Sequence, residues 1–195
     1  MTRRLAALLA VPALTLAACQ QPAQEPASAP TDTAVTPGAE APPAASPTPA
    51  STRVVGLDPE GLRLIDRESG STASLAFGQP AEQVVALVGA SRGAPRERGT
   101  NSECGAGPLD FASWDDGLTL WFQNGSFAGW ATNRQGATLM TGVGVGSSRA
   151  DLEGAHAITV QETSLGTEFT FGGVSGLLEN GRVSNMWAGV SCNFR

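Results

Sequence analysis

A proline-rich stretch determines how much of this chain can fold. Residues 20–53 contain eight prolines among alanine, serine, threonine and glutamine, and almost no large apolar side chain. A segment of this composition buries too little apolar surface to offset its ordering entropy, so we expect a disordered tether. Its 34 residues would span about 30 Å as a coil. A core can form only in residues 54–195, whose 142 positions suit a single domain.

The residues before this stretch have the pattern of a secretory signal. Arg3 and Arg4 precede an apolar run from Leu5 to Ala17, an order typical of such signals. The run is shorter than a stable bilayer-spanning helix requires. It ends in Leu16-Ala17-Ala18-Cys19, which resembles the lipobox of bacterial lipoproteins.

The lipobox resemblance implies a lipid anchor at Cys19. In that family the signal peptide, here residues 1–18, is removed, and the cysteine carries a diacylglycerol and an N-acyl chain, commonly palmitate. Several acyl chains hold a protein on a membrane durably, whereas one does not. Gln20 stands where an aspartate would favour the inner membrane, so the resemblance implies an outer-membrane lipoprotein that faces the periplasm. The alternative is an ordinary secretory signal with a chance cysteine.

The folded part of the chain is acidic. Residues 54–195 contain nine arginines and fifteen acidic residues, a net charge of −6, and the whole chain lacks lysine. This charge would repel a phosphate backbone. We therefore expect no nucleic-acid partner.

Two cysteines remain once Cys19 is assigned to lipid. Cys104 and Cys192 would pair in an oxidising periplasm. In the chain-entropy model, closing a loop of 88 residues contributes on the order of 4 kcal/mol. The alternative is an enzyme, a hydrolase or transferase, in which Cys104 is a free nucleophile and His156 is its base.

Patterns in the first half of the folded part predict strands around one helix. Residues 54–57 and 62–65 would form a hairpin around the turn 58–61, and residues 72–77 the next strand. Pro80 would lie in the first turn of a helix that opens at residues 78–82. Its inward side chains at helical spacing would be Val84, Leu87 and Val88.

The second half repeats this order of helix and hairpin. Strands at 118–122 and 126–130 flank Asn124-Gly125, a type I′ turn signal, and residues 177–183 and Trp187 echo that hairpin. Before this echo, Ser148 and Asp151 would cap a helix with Leu152 turned inward. We predict an α+β fold with short helices packed on antiparallel sheet, arranged as two tandem helix-plus-meander units.

The helix entrance at Gly146–Leu152, followed by strands, resembles that of small periplasmic lipoproteins of the BamE type, which serve outer-membrane assembly. Tandem copies of such a unit occur in the beta-lactamase inhibitor protein fold. The resemblance implies that function lies in surface contacts with other proteins. It carries over no contact residue.

Residue types suited to catalysis or metal binding have simple structural explanations here. The glycines of residues 142–146 lack a P-loop lysine and suit a turn before a helix. His156 is the only histidine, which argues against zinc. Asp110, Asp115 and Asp116 lack the ligand spacing of a calcium loop, although paired carboxylates could hydrolyse glycosidic bonds.

The sequence thus predicts a lipid-anchored envelope protein that acts by binding a protein or cell-wall partner. We predict no catalytic residue, no metal and no cofactor. The competing prediction is a periplasmic enzyme that uses Cys104 and His156, or paired carboxylates.

Overall fold

A computed structural model describes residues 52–192, and these form eleven strands and two helices. All of them belong to one compact unit. The fold class is α+β, as predicted, but strands contribute far more residues than helices. The predicted signal peptide, Cys19 and all but the last two residues of the predicted tether lie outside the described residues.

The first three strands form a small antiparallel sheet of their own. They are β1 (Arg53–Asp58), β2 (Gly61–Asp66) and β3 (Thr72–Ala76), in that order. The predicted hairpin is confirmed, and β1 begins one residue before the predicted boundary. Asp58 fixes the turn, because its carboxylate accepts a 3.0 Å hydrogen bond from the Glu60 N–H and a 2.9 Å bond from Arg63 Nε.

Helix α1 (Ala81–Arg92) follows, directly after Pro80. Its buried side chains are Val84, Val85 and Val88, while Leu87 is half-buried. The buried side of the helix is therefore rotated slightly from the predicted one, with Val85 buried in place of Leu87. The reason is tertiary, since α1 packs against both β1 and the large sheet.

The other eight strands form one antiparallel sheet of two four-strand meanders. Along the chain, helix α2 (Arg149–Ala155) lies between the two meanders. In space the order is β4-β5-β6-β7-β11-β10-β9-β8, so the last strands of the two meanders pair at the centre. The bounds are β4 (Glu97–Asn101), β5 (Leu109–Ser113), β6 (Leu118–Gln123), β7 (Ser126–Thr132), β8 (Thr159–Thr163), β9 (Gly166–Phe171), β10 (Val174–Glu179) and β11 (Arg182–Gly189).

The two helices begin with the same hydrogen bonds to the two hairpins. Before α1, the N–H of Gly78 donates to the Phe127 carbonyl at 2.7 Å, and before α2 the N–H of Gly146 donates to the Val183 carbonyl at 2.8 Å. Both glycines have positive φ, 92° and 94°. Ser148 and Asp151 form the predicted capping box, and Leu152 is buried.

The two central hairpins also share their irregularities. Asn124 and Asn180 begin their turns with φ of 52° and 51°, and each asparagine is followed by glycine, as a type I′ turn requires. Each preceding strand has a register shift at the same distance from its asparagine, between Trp121 and Phe122 and between Leu177 and Leu178.

The large sheet buries one face in the core. On β6, Leu118, Leu120 and Phe122 alternate with half-buried residues. This core face packs against α1, α2 and the small sheet in one apolar cluster. Trp130 joins the two sheets, since its indole Nε1 donates a 2.8 Å hydrogen bond to the Asp58 carbonyl.

Candidate functional site

The second face of the large sheet carries large aromatic side chains where no described helix covers it. We call it the open face and define it by Phe111, Thr119, Trp121, Ser175 and Trp187. Trp187 is buried, at 8 % exposure, and the other four side chains are half-buried. Phe111 and Trp121 lie opposite each other on β5 and β6, with ring centroids 5.7 Å apart. Large aromatic side chains are common both in protein cores and at binding surfaces.

A hollow lies on the open face between the two tryptophans. Its volume is about 190 Å³, and Thr119, Trp121, Asn185 and Trp187 line it, together with Cys192. The indole N–H of Trp121, one of these lining residues, is buried and has no hydrogen-bond partner. The residues that line the hollow therefore include apolar rings and an unsatisfied donor. Buried donors without a partner are uncommon in protein interiors.

The chain after β11 crosses one part of this face. The N–H of Val190 donates a 2.8 Å hydrogen bond to the Ala128 carbonyl, and the Val190 carbonyl lies where a side chain at position 129 would project. Position 129 must therefore be glycine, because any side chain there would overlap the Val190 carbonyl. The segment leads to Cys192 and borders the hollow.

Cys104 and Cys192 lie at disulfide distance, with Cα atoms 4.9 Å apart. The pair joins the loop between β4 and β5 to the segment after the last strand. Cys104 is also buried. In this state Cys104 is no free thiol, and it lacks the feature that a nucleophile needs.

His156 lies after α2 and contacts neither cysteine. Its ring stacks on Phe171 with centroids 4.0 Å apart, and its Nε2 is 2.9 Å from the Thr141 hydroxyl. Burial lowers the pKa of this imidazole. The structure does not bring together the two residues of the predicted enzyme alternative.

The three candidate aspartates each have a separate partner. Asp110 accepts a 2.5 Å hydrogen bond from Thr100. Asp115 lies 3.6 Å from Arg96 Nε, and Asp116 pairs with Arg92. Among the described residues, no group of three or more potential ligands could hold a metal ion.

The pair Arg92–Asp116 is the most shielded ion pair described, and sequence reasoning missed it. The Arg92 side chain is 14 % exposed and that of Asp116 33 %. Burial lowers the pKa of the Arg92 guanidinium, which stays charged because its ordinary pKa is so high. Arginine in the last turn also suits the helix dipole, which was the one available sequence signal.

Glu168 is a second missed residue. It lies on β9 opposite Gln161 and Leu177, and it is only 1 % exposed. The sequence of β9 gives no sign that Glu168 is buried. The other polar residues of the strand, Thr167 and Thr170, are only half-buried, so residue type alone does not distinguish the buried position.

Within residues 52–192, neither helix has the length and apolar character needed to cross a membrane. No family model, curated protein or solved structure matches this chain.

Proposed function

We propose that the chain is a lipid-anchored protein of the cell envelope whose folded domain works by binding and not by catalysis. Support for the anchor comes from the lipobox resemblance of residues 16–19 and the proline-rich tether behind it. In this proposal Cys19 fixes the protein to the outer membrane, and the domain faces the periplasm at the end of the tether.

We also propose that the domain consists of two copies of one helix-plus-meander unit. Three features support this: the matching bonds of Gly78 and Gly146, the matching Asn-Gly turns, and the matching register shifts. Two such units side by side give the tandem arrangement of the beta-lactamase inhibitor protein fold, with helix entrances of the BamE type. Pairing β7 with β11 extends one open face across both units.

The binding surface in this proposal is the open face, and its partner is a protein or a cell-wall polymer. The observation that carries it is the half-buried pair of Phe111 and Trp121 on the face away from the helices, beside a hollow that the buried Trp187 also lines. Tryptophan at the centre of a surface commonly dominates binding energy. In this proposal nucleic acid is not the partner, because the net negative charge of the domain would repel a phosphate backbone.

Site-specific photo-crosslinking of the full-length protein in its own envelope tests this proposal. A photoreactive amino acid at Thr119 or Ser175 should yield one reproducible crosslinked product. The same group at Ala86, an exposed position of α1 on the opposite side of the domain, is the matched control and should yield none. Trp121→Ala in the same protein should remove the product at Thr119.

Two results would contradict this proposal. Crosslinks at Ala86 alone would place the partner on the helical side and refute the open face. Turnover of a wall or peptide substrate, lost in His156→Ala or Asp115→Ala while the fold is preserved, would show that the protein is an enzyme.

A further inference from the structure

A pocket of about 340 Å³ lies between β1, the end of α1 and the segment 136–142, away from the open face. Arg53, Arg67 and Arg92 all line it, and no aspartate or glutamate of the described chain does. Acidic residues outnumber arginines in this domain. Arg53 and Arg92 each have an aspartate as ion-pair partner, Asp66 and Asp116. The positive charge of Arg67 has no such partner among the described residues, and a cavity lined by guanidinium groups with this surplus favours an anion.

Two of the three guanidinium groups have donors that the protein does not use. Arg67 is exposed, and its side chain has no hydrogen-bond or ion-pair partner among the described residues. Arg92 pairs with Asp116, yet its Nε–H is buried and has no acceptor. Arg53, the third, lies 4.0 Å from Asp66 and adds its charge to the pocket. Of these groups, the exposed guanidinium of Arg67 is the one that a ligand can reach directly, and a planar guanidinium matches the oxygens of a phosphate or carboxylate.

The C-terminus of α1 borders the pocket, and its partial negative charge would by itself repel an anion. The Ser91 hydroxyl donates to the Val88 carbonyl at 2.9 Å, and the Gly93 N–H donates to the Gly89 carbonyl at 2.8 Å. Two carbonyls of the last turns are thereby occupied. Arg92 adds its positive charge at the same end of the helix.

Apolar side chains form the remaining wall. Val54, Ile65 and Met140 contribute to it. Met140 is 55 % exposed, and among the described residues it is the one large hydrophobic side chain that is exposed. Met140 lies over Gly56, where a side chain would begin with a Cβ only 3.1 Å from the methionine sulfur. Exposed methionine beside a cavity suits an adaptable apolar contact.

We infer that this pocket binds one phosphate or carboxylate group carried on a short apolar stem, with the arginines holding the anion and Val54, Ile65 and Met140 lining the stem. The inference does not depend on the lipid anchor or on the open face. It assigns the domain a second, small-ligand site.

Hexyl phosphate is the probe that tests the site. Equilibrium dialysis of the full-length protein, corrected for protein-free detergent micelles, should give saturable binding of one molecule per chain. Ethyl phosphate and inorganic phosphate should bind at least tenfold more weakly, because they leave the apolar wall unfilled. Hexanol, which lacks the anion, should not bind. Absence of saturable hexyl phosphate binding would overturn the inference.

Two variants of equal charge separate the pocket from general electrostatics. Arg67→Gln should weaken hexyl phosphate binding at least tenfold, and the exposed side chain leaves folding intact. Arg96→Gln removes the same charge outside the pocket, since Arg96 is 66 % exposed beside Asp115, and should change affinity less than twofold. Equal weakening in both variants would refute the site.

Vesicles distinguish the two natural sources of such a ligand. If a phospholipid headgroup is the source, phosphatidylglycerol vesicles should compete with hexyl phosphate and phosphatidylcholine vesicles should not. If neither competes while Arg67→Gln still weakens hexyl phosphate binding at least tenfold, the ligand is a soluble amphiphilic anion. Both results support an anion site and identify where its ligand comes from.

Discussion

Trp130 and Asp58 hold the two sheets of this domain together. The indole of Trp130, fully buried on the core face, donates a 2.8 Å hydrogen bond to the backbone carbonyl of Asp58 in the hairpin turn of the small sheet. The two residues are 72 positions apart in the chain. The bond therefore forms only when both sheets are folded and docked.

Replacing Trp130 with phenylalanine should test this link. The variant keeps an aromatic ring but leaves the Asp58 carbonyl without its donor, so the free energy of unfolding should fall by about 1–3 kcal/mol. Urea unfolding followed by circular dichroism measures the change. Trp121→Phe is the matched control, because the Trp121 donor has no partner to lose, and its loss should be clearly smaller. Equal losses would show that ring size matters and the hydrogen bond does not.

Local chemistry predicted the turns and helix ends well. The Asn-Gly turns at Asn124 and Asn180 and the capping box of Ser148 and Asp151 depend on neighbours within four residues, so the sequence contains the whole signal. Four strands were not predicted: β4, β5, β8 and β9. In β4, four of five residues are exposed. This polar edge strand forms because it pairs with β5, and that pairing cannot be predicted from the local sequence of β4.

The open face could not be predicted for a related reason. Trp130 follows the Asn124 turn by six residues, and Trp187 follows the Asn180 turn by seven, so the sequence makes the two tryptophans look equivalent. In the sheet Trp130 lies opposite Ala188, and Trp187 lies opposite Ala131, so the two tryptophans project to opposite faces. A shift of one residue reverses the face in a strand, and only the register assigns Trp187 to the hollow.

Lipidation gives the next prediction. Wild-type protein should be cleaved before Cys19 and should exceed the mass of the processed polypeptide by the mass of its acyl chains. Cys19→Ala should prevent both changes, since no thiol is left for the thioether. Intact mass spectrometry of membrane and soluble fractions measures this. A wild-type protein that is soluble, unacylated and cleaved elsewhere would contradict the anchor.

The pH dependence of stability should show the contribution of His156. Burial lowers its pKa in the folded protein below the ordinary value of about 6.5, so near pH 6 the unfolded chain binds more protons. The stability that this linkage contributes is therefore present above the unfolded pKa and is lost as pH falls from that value through the lower folded pKa. His156→Phe keeps the stack on Phe171 without titrating. Between pH 7.5 and 5.5 the wild type should lose more stability than this variant, measured by urea midpoints, and parallel curves would contradict the assignment.

The disulfide should contribute strongly to stability. Cys104 and Cys192 close a separation of 88 residues, and replacing both with alanine should lower the free energy of unfolding by about 4 kcal/mol in the chain-entropy model. Non-reducing peptide mapping should recover both cysteines in one linked fragment. Two alkylatable thiols in freshly folded protein would refute the bond and would restore Cys104 as a candidate nucleophile.

Neighbouring aspartates should differ sharply in their effect on stability. Asp116 pairs with the shielded guanidinium of Arg92, so Asp116→Asn leaves that charge without its counter-ion and should cost about 1–3 kcal/mol, between the values for surface and fully buried pairs. Asp115 is 86 % exposed and lies 3.6 Å from Arg96, so Asp115→Asn should cost less than about 0.5 kcal/mol. Both variants remove one negative charge and change the side chain in the same way. Urea unfolding of the two proteins side by side decides the matter, and equal costs would mean that the Arg92–Asp116 pair adds nothing beyond a surface ion pair.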